Sequence, residues 1–491
     1  MALRLFNTLS AKVEEFQPQQ DHLVRMYSCG PTVYDYGHVG NFRTFVFVDI
    51  LRRFLQQSGY KLKHVMNITD VDDKIIRNAA KQGVTVGEYT KKYEQAFRED
   101  MQTLSLETPE MIVRATDNIP DMAAFIAGLE QKGYAYRADD GSYYFRIAKF
   151  PGYGKLSKKD FAGMEAGARV DVDEYDKDNA RDFALWKAPK PGEASWDTAI
   201  GPGRPGWHIE CSVMARKFLG DTLDMHLGGE DLIFPHHENE IAQSEALTGK
   251  PFARFWVHAR FLLVEGEKMS KSLGNFYTLR DLVLKGHKPS SIRYLLASVP
   301  YRRQLNFTFD GLKQAASSVE RLRNFKLRLE TGHFESGSNP KIAALARTAS
   351  ERFTAALADD LNTAEALAAV FDMVREANAA ADAGEVKKDD IPPLLAVLKQ
   401  FDEIFDVLRD TDAPKIERIL EWAQQEGKPP VTRAVEASHK ISDQGVEELI
   451  AKREAARRSR DFKASDAIRD QLAEAGIIVE DTKDGVRWKR K

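Results

Sequence analysis

The sequence predicts an α/β protein in which a doubly wound parallel sheet is interrupted by an insertion and followed by a helical bundle and a small C-terminal domain. Three observations support this fold class. Residues 22–69 run strand, glycine-containing turn, helix and strand, which is the pattern of a βαβ unit. Residues 131–200 change to short polar segments rich in Gly, Pro and Asp, and from about residue 286 the apolar residues recur at helical spacing.

Length and composition restrict the classes of protein that remain. A chain of 491 residues is too long for one hydrophobic core, so we expect about two to four domains. With 43% hydrophobic and 30% charged residues and no apolar run long enough to cross a bilayer, a membrane role is excluded. The N-terminal segment resembles no secretory signal, so we expect a cytoplasmic protein.

Charge is uneven along the chain. The formal net charge of −3 does not indicate a nucleic-acid-binding protein as a whole. Residues 451–463 and 486–491 nevertheless concentrate Lys and Arg, whereas the rest of the chain is mildly acidic. A local basic surface is therefore expected at the C-terminal end.

The first βαβ unit predicts where a ligand would bind. A strand is expected at residues 22–29, a helix after the turn at 37–41, and a second strand at 61–69. The helix should stop at Ser58, before a glycine. Because parallel strands leave a crevice at their carboxyl ends, Cys29 and the turn should lie there. The segments from 70 to about 130 are expected to be helical.

Five segments follow from these patterns. We expect the first half of the sheet domain at 1–130, the insertion at 131–200 and the second half of the sheet domain at 201–285. The helical bundle should follow at 286–415, and a linker with the C-terminal domain at 416–491. The linker prediction rests on the proline-bearing stretch GKPPVTRAVEASHKISDQGV.

The stretch DLIFPHHENEIAQSEA, residues 231–246, combines imidazoles and carboxylates. If Pro235 lies in the first turn of a helix, His236 and Glu240 are four residues apart and share a face. His237 and Glu238 would then point elsewhere. The shared face offers one nitrogen and one oxygen ligand, two fewer than zinc normally takes.

The chain has two cysteines, Cys29 and Cys211, which leave three interpretations: buried thiols, one disulfide, or metal ligands. A doubly wound sheet could bring both over its crevice, beside the His/Glu pair. Spacing alone does not decide, because no CxxC pair is present and scattered cysteines are usually buried small hydrophobes. The His/Glu pair is likewise more often a solvated helix face.

Two segments are candidates for phosphate binding. In YGHVGN, His38, Gly40 and Asn41 enter the first helix, whose N-terminus favours anions, although a plain tight turn is the commoner interpretation. In EGEKMSKSLGN, Lys268 and Lys271 alternate with serines between two glycines. Such a loop can close over a polyphosphate and stabilise the leaving charge, and the alternative is a solvated charged loop.

The strings HVGN and KMSKS resemble the paired signatures of class I aminoacyl-tRNA synthetases. The longer strings MYSCGPTVYDYGHVGNFRTF, NITDVDDKII, GRPGWHIECS, LGGEDLIFPHHENEIAQSEA and KMSKSLGNF resemble bacterial-type cysteinyl-tRNA synthetases, from about residue 3 to the C-terminus. Asn41 departs from the commonest first signature, which has histidine there. The stretch near 410–445 looks longer than usual, and we have no functional account of it.

The resemblance implies a Rossmann-type catalytic domain with an inserted connective domain, a stem-contact helical bundle and an anticodon-binding domain. It implies that L-cysteine and ATP, with Mg²⁺, form cysteinyl-adenylate and pyrophosphate, and that cysteine then passes to the 3′ end of tRNA(Cys). It also implies one zinc ion per subunit, which selects the substrate thiolate over the near-isosteric serine. The implied zinc ligands are Cys29, Cys211, His236 and Glu240.

Other roles are implied in the same way. Thr69 and Trp207 would shape the cysteine pocket. ATP would be bound by His38, Gly40, Asn41, Gly229, Asp231 and Lys271, and charge would be stabilised by His38, Asn41, Lys268 and Lys271. The tRNA-binding candidates are Arg457, Asp466, Asp481 and Trp488, with a solvated helix surface and a core tryptophan as the alternative. No membrane partner is expected, and we expect a monomer.

Two other functions remain open at this stage. A ligase with the same catalytic half could couple cysteine to an amino-sugar, but residues 420–491 argue against it, because such a ligase lacks an anticodon domain. A non-catalytic tRNA-binding or zinc-sensing relative is the second alternative. The presence of both lysines of KMSKS and all four metal ligands argues against it.

Overall fold

The computed structural model describes residues 2–159, 169–170, 182–428, 443–459, 461–474, 477–482 and 485–490. The chain forms two compact units. The first comprises Met1–Phe276 and Arg293–Leu408, and the second comprises Tyr277–Ile292 and Arg409–Lys491.

The first unit is built on a parallel sheet. After a hairpin, the chain alternates strands and helices, and the elements are β1 Arg4–Asn7, β2 Lys12–Glu15, β3 Leu23–Ser28, α1 Val39–Gln57, β4 Lys61–Ile68, α2 Asp73–Gln82, α3 Val86–Thr103, β5 Met111–Arg114 and α4 Ile119–Gln131. The predicted first strand, first helix and second strand are confirmed as β3, α1 and β4. The strand β5 lies where we expected only helix, because its four residues, MIVR, form an apolar run too short to distinguish a strand from part of a helix.

The insertion forms a separate, mostly antiparallel sheet. Its strands are β6 Ala135–Arg137, β7 Tyr143–Phe145, β8 Arg169–Val170, β9 Asp182–Lys187 and β10 Arg204–Pro205. Their order is β10-β9-β7-β6, with β8 beside β9. These strands lie between residues 135 and 205, whereas the insertion was expected at 131–200.

The parallel sheet resumes after the insertion with α5 Trp207–Leu219, β11 Leu223–Gly229, α6 Glu238–Thr248 and β12 Ala253–Ala259. The strand order is β12-β11-β3-β4-β5, and every neighbouring pair is parallel. The strand order therefore reverses between β3 and β11. A ligand crevice opens at the carboxyl ends of strands at such a switch point.

Two short strands, β13 Leu262–Val264 and β14 Glu267–Lys268, lead into the KMSKS segment. The remaining elements are mainly helical and comprise α7 Leu279–Leu284, α8 Pro289–Ser298, β15 Leu305–Phe307, α9 Phe309–Thr331, α10 Pro340–Ala358, α11 Thr363–Asp382, α12 Ile391–Phe405 and α13 Asp412–Gln425. Within the first unit, α10 packs on α11 and α12.

A buried arginine joins several helices of the first unit. Arg293 in α8 lies 2.5 Å from the Asp49 carboxylate of α1 and donates to the carbonyl oxygen of Phe405 at the end of α12. It also donates to the carbonyl of Leu104, which follows α3. The guanidinium of Arg293 therefore bonds to α1, to the end of α12 and to the residue after α3 at the same time. Movement of any of these segments would break its bond to the arginine.

The second unit ends in a small α/β arrangement of α14 Asp443–Arg458, α15 Phe462–Glu474, β16 Ile477–Thr482 and β17 Gly485–Arg490. Val446, Ile450, Leu472 and Ile477 form its buried core. Residues 429–442, which include most of the predicted linker, lie outside the described residues. None of the described helices combines the length and apolar character needed to span a bilayer.

Candidate active site

Four predicted metal ligands meet at the switch point of the sheet. Cys29 directly follows β3, Cys211 lies in α5, and His236 and Glu240 lie before and inside α6. All four side chains are buried, and one ligand atom from each lies within 4.8 Å of the other three. The expected sheet topology allowed this convergence but did not decide it, and the family resemblance then implied the full set of four ligands.

The spacing of the four groups suits a tetrahedral zinc site. The two Sγ atoms are 4.0 Å apart, and His236 Nε2 is 3.1 Å from Glu240 Oε1. Tetrahedral zinc with bonds of about 2.3 Å to sulfur and about 2.0 Å to nitrogen or oxygen would place these pairs about 3.8 and 3.3 Å apart. The residues present therefore fit the ion without rearrangement of the backbone.

His237 also faces this cluster, contrary to the expectation that it points elsewhere. Its Nε2 lies 3.3 Å from Cys29 Sγ and 3.8 Å from Glu240 Oε1. The expectation assumed that Pro235 lies in a regular helix, but α6 begins at Glu238, and Phe234 has extended dihedral angles of −137° and 131°. The helical rotation per residue therefore does not apply to the two imidazoles.

His237 belongs to a second group of potential metal ligands. Among the described residues, Cys29, His226, His237 and Glu240 also lie within ligand distance of each other. In this group the imidazoles have other partners, because His237 Nδ1 is 2.8 Å from His258 and His226 Nε2 is 2.9 Å from Glu240 Oε2. Glu240 thus turns one oxygen to His236 and the other to His226.

The electrostatics of the cluster favour a positive charge at its centre. Burial would raise the pKa of Cys211, but hydrogen bonds with Cys29 and His236 lower it to about 6. Burial would lower the pKa of His236, but Glu240 raises it to about 10. The pKa of Glu240 is about 2, because His226 and His236 outweigh its burial. The buried acidic groups are thus balanced by an imidazolium, whose charge a metal cation can replace.

The HVGN turn begins α1 with a reciprocal cap. The backbone N–H of Asn41 donates to His38 Nδ1 at 3.1 Å, and the backbone N–H of His38 donates to Asn41 Oδ1 at 3.1 Å. The neutral His38 ring therefore carries its proton on Nε2. A Cβ at Gly40 would lie 3.0 Å from the His38 ring and 3.2 Å from Met269 Cε, so a side chain would crowd the turn.

Burial, and then the charge of Lys271, lowers the pKa of His38 to about 4. At neutral pH, His38 can therefore offer an uncharged N–H donor. Asn41 uses its amide oxygen for the cap, so its amide NH₂ is the group that it can offer to a ligand.

Lys271 of the KMSKS segment lies beside the HVGN turn. Its Nζ is 2.6 Å from Asp35 Oδ2 and 5.0 Å from the centre of the Phe276 ring, and that ring is also in edge contact with His38. Lys268, at the end of β14, is exposed. Asp35 was not a predicted site residue, because nothing in its spacing distinguishes it from the other polar residues of the turn.

The other predicted contacts surround these two groups. Trp207 begins α5, and its ring centre is 4.2 Å from that of His236. The Thr69 hydroxyl, just past β4, donates to the buried Glu210 carboxylate at 2.9 Å. Gly229 ends β11, and a Cβ there would lie 2.4 Å from the Asp231 carboxylate. Sequence reasoning missed Glu210, which accepts from Thr69, and His226, which contacts Glu240.

The tRNA-binding candidates lie in the C-terminal part of the second unit. Arg457 and Asp466 are exposed on α14 and α15. Trp488 is partly buried against the small core and lies opposite Val479 in the hairpin. Asp481 lies in β16, and its side chain is outside the described part of the structure.

Family models match three parts of the chain. The tRNA synthetases class I (C) catalytic domain matches residues 15–317, the DALR domain matches 352–409, and the cysteinyl-tRNA ligase anticodon binding domain matches 442–488. The first match alone covers more than half of the chain.

Curated relatives match over the full length. The chain is 68% identical to the cysteine–tRNA ligase of Koribacter versatilis and 60% identical to that of Solibacter usitatus, with 100% of this chain and of each relative covered. The cysteine–tRNA ligase of Leptospira interrogans serogroup Icterohaemorrhagiae serovar Lai is 44% identical, with 100% of this chain and 99% of the relative covered.

Solved structures share the fold at low identity. The methionyl-tRNA synthetase of Mycobacterium tuberculosis, in complex with methionyl-adenylate, superposes with a TM-score of 0.59 at 15% identity, covering 85% of this chain and 96% of that one. A leucyl-tRNA synthetase of Agrobacterium radiobacter K84 gives a TM-score of 0.58 at 13% identity, covering 80% and 85%. The full-length relatives and the catalytic-domain match place the chain in the cysteinyl-tRNA synthetase family of class I aminoacyl-tRNA synthetases.

Proposed function

We propose that the enzyme activates L-cysteine with MgATP and transfers the cysteinyl group to the 3′ end of tRNA(Cys). The observation that carries this proposal is the buried cluster of two thiols, an imidazole and a carboxylate at the switch point of the parallel sheet. The HVGN turn and Lys271, which suit a polyphosphate, lie at the same edge of the sheet. A thiol-selecting group and an ATP-handling group are thus side by side.

We assign Cys29, Cys211, His236 and Glu240 as the ligands of one zinc ion. This set contains both thiolates and leaves His226 as a hydrogen-bond partner of Glu240, which is the usual arrangement around a protein zinc site. When bound, zinc supplies a soft Lewis acid that favours a substrate thiolate over an alcohol. A pocket that relied on shape would separate cysteine from serine by only about 1–3 kcal/mol.

The cysteine substrate would lie between Trp207 and Thr69, which flank this cluster from α5 and from the end of β4. The Trp207 ring, tilted by 32° against the His236 ring with the ring centres 4.2 Å apart, packs against one ligand of the cluster.

In the first step the cysteine carboxylate attacks the α-phosphorus of ATP. A new bond forms between a carboxylate oxygen and phosphorus, and the bond to the leaving pyrophosphate breaks. His38 and Asn41 donate hydrogen bonds to the phosphoryl oxygens. Gly40 has no side chain, so the backbone of the turn can approach these oxygens closely. Lys268 and Lys271 neutralise the charge that develops on pyrophosphate, and Mg²⁺ enters with ATP. Gly229 and Asp231 contact the ribose.

In the second step a terminal ribose hydroxyl of tRNA attacks the carbonyl carbon of the adenylate, and AMP leaves. No side-chain nucleophile is needed, so positioning accounts for most of the rate. The domains at 286–415 and 416–491 hold the tRNA, and Arg457, Asp466, Asp481 and Trp488 are the candidates for anticodon contacts. The DALR and anticodon binding domain matches support this assignment.

We expect a cytoplasmic, monomeric enzyme. Both cysteines are unpaired and buried, as required of thiolate ligands in a reducing compartment. Light scattering of the purified enzyme should give the mass of one chain.

Two assays on the full-length enzyme test the function. We expect ATP–pyrophosphate exchange that depends on cysteine, together with charging of tRNA(Cys). An amino-sugar acceptor should receive no cysteine. Exchange without charging would favour the amino-sugar ligase, and the absence of both activities would favour a non-catalytic relative.

A further inference from the structure

Three consecutive hydrogen bonds connect four residues near the two cysteines. The Gly30 backbone N–H donates to Asn67 Oδ1 at 2.9 Å, Asn67 Nδ2 donates to Thr69 Oγ1 at 3.1 Å, and the Thr69 hydroxyl donates to Glu210 Oε2 at 2.9 Å. We call these four residues the bridge. Every donor in it meets an acceptor, and it ends on a carboxylate, which strengthens the last bond.

The two ends of the bridge are covalent neighbours of the two thiols. Gly30 follows Cys29, and Glu210 precedes Cys211. The cysteines are 182 residues apart in the chain, so the covalent backbone does not set the 4.0 Å between their sulfurs. The bridge links the two cysteine-bearing segments through the end of β4.

The three side chains of the bridge are buried, and its backbone at Gly30 is tightly packed. The exposed fractions are 2% for Asn67, 1% for Thr69 and 0% for Glu210. A Cβ at Gly30 would lie only 1.8 Å from the Asn67 carbonyl oxygen, so the backbone after Cys29 rests directly on β4.

Backbone hydrogen bonds hold the same segment in register. The Thr69 N–H donates to the Pro31 carbonyl at 3.1 Å, and the Val33 N–H donates to the Thr69 carbonyl at 3.1 Å. The segment after Cys29 is therefore fixed to the end of β4 by main-chain bonds. The side-chain part of the bridge, from Asn67 to Glu210, extends this fixed frame to α5.

We propose that Asn67, Thr69 and Glu210 are positioning residues that hold the two thiolates at metal-binding separation before the ion arrives. This inference rests on the proposed function, because it takes the metal site to contain both cysteines. Loss of the bridge would let the two segments separate, and the ion would then have to offset that separation. With the bridge intact, the geometry is already present, so metal affinity should depend on residues that do not touch the metal.

The test measures zinc affinity of the full-length, metal-stripped protein without cysteine, by competition with a chromogenic chelator. Thr69→Val keeps the shape but removes the hydroxyl, and we expect it to weaken zinc binding by about 10–100-fold, the usual effect of losing an outer-shell partner. Thr69→Ser restores the hydroxyl and should bind zinc within about threefold of the unsubstituted protein. Glu210→Gln keeps a neutral acceptor and should weaken zinc binding by an intermediate factor. It also tests the proposal if Thr69→Val does not fold.

A matched control lies near the same strand end. The Thr116 hydroxyl donates to the Asp70 carboxylate at 2.5 Å, outside the bridge. Thr116→Val removes an equivalent threonine–carboxylate bond, and zinc affinity should stay within about threefold. The visible spectrum of the Co²⁺-loaded protein, which reports ligand geometry, should change in Thr69→Val and not in Thr116→Val.

Three results would overturn the inference, and they can be told apart. If Thr69→Val and Glu210→Gln bind zinc as tightly as the unsubstituted protein, the bridge does not position the thiolates, while the metal site stands. Equal weakening by Thr69→Val and Thr116→Val would indicate general destabilisation instead. If the unsubstituted protein binds no zinc, the metal assignment of the proposed function fails first, and the inference fails with it.

Discussion

The ammonium group of Lys271 lies 2.6 Å from the carboxylate of Asp35 and forms an ion pair between the KMSKS segment and the turn that precedes α1. Both side chains are partly exposed, at 64% for Lys271 and 36% for Asp35. An ion pair this exposed contributes only about 0–1 kcal/mol, so the triphosphate of ATP can displace the carboxylate. If Lys271 contacts ATP as proposed, Asp35 would hold the lysine at the crevice until ATP arrives.

Removal of Lys271 should slow chemistry more than it weakens ATP binding. If the ammonium stabilises charge that develops on pyrophosphate, Lys271→Ala should lower kcat of cysteine activation by about 10²–10³-fold, as for loss of other preorganised charge-stabilising groups. Initial-rate kinetics of pyrophosphate exchange at varied ATP measures this. A raised KM with an unchanged kcat would contradict the role.

Removal of the Asp35 charge should have the opposite, smaller effect. Asp35→Asn keeps the side-chain shape and relieves both the competition for Lys271 and the repulsion of the triphosphate. We expect KM for ATP to fall by up to about fivefold, since about 1 kcal/mol is at stake. The same kinetic assay decides, and a KM that rises would mean that Asp35 helps to bind ATP.

His38 should not titrate in the working range of the enzyme. Burial first, and then Lys271, lowers its pKa to about 4, so its uncharged form dominates at every pH well above that value. His38→Asn should lower kcat/KM of activation by about 10²-fold through loss of the N–H donor. The ratio of the two kcat/KM values should stay constant between about pH 5.5 and 8. A ratio that changes near the ordinary histidine pKa would show that His38 acts as a cation.

The buried Asp49–Arg293 pair should contribute to the acid sensitivity of the first unit. Burial would raise the pKa of Asp49, but Arg293 and Arg53 hold it below its usual value. For a depressed carboxyl pKa, the stabilisation is complete above the unfolded-state pKa and is lost as pH falls through the folded-state pKa. The protein should therefore lose stability as pH drops below about 4.

Asp49→Asn should remove that contribution at pH 7, because it leaves buried guanidinium charge without its partner. We expect the free energy of unfolding to fall by about 3–5 kcal/mol, measured by urea titration. Lys313→Gln breaks an exposed pair, with side chains 73% and 83% accessible, and should cost less than about 1 kcal/mol. Equal effects of the two substitutions would contradict the account.

Arg457 should matter for charging and not for activation. It is exposed on α14, so Arg457→Ala should leave cysteine-dependent pyrophosphate exchange unchanged. Loss of an arginine contact to RNA should lower kcat/KM for tRNA(Cys) by about tenfold or more. Lys452→Ala, also exposed on α14, is the matched control and should have the smaller effect. If both substitutions act alike, only general charge attracts the tRNA.

The sequence sufficed for features that follow from local pattern and topology. Alternation of strands and helices predicted β3, α1 and β4, and the crevice rule placed Cys29 and the HVGN turn at one edge of the sheet. Periodicity failed at His237, because the five residues before α6 do not form a regular helix. It also missed β5, whose apolar run is too short to distinguish a strand from part of a helix.

The spacing of residues in the sequence could not predict contacts between distant segments. Asn67 and Glu210 are buried polar residues, and the bonds that define them come from three separate elements. Asp35 acquires its partner only when the two halves of the sheet come together. Tertiary structure alone brings such groups into contact, so no local pattern marks them.

The central claim is that an ion held by Cys29, Cys211, His236 and Glu240 distinguishes cysteine from serine. The most direct measurement is ATP–pyrophosphate exchange with each amino acid on the full-length enzyme, with metal content quantified before and after chelation. We predict about one zinc per chain, exchange with cysteine and not with serine, and loss of the cysteine reaction when zinc is removed. An active enzyme without metal, or one that prefers cysteine just as strongly after chelation, would contradict the account.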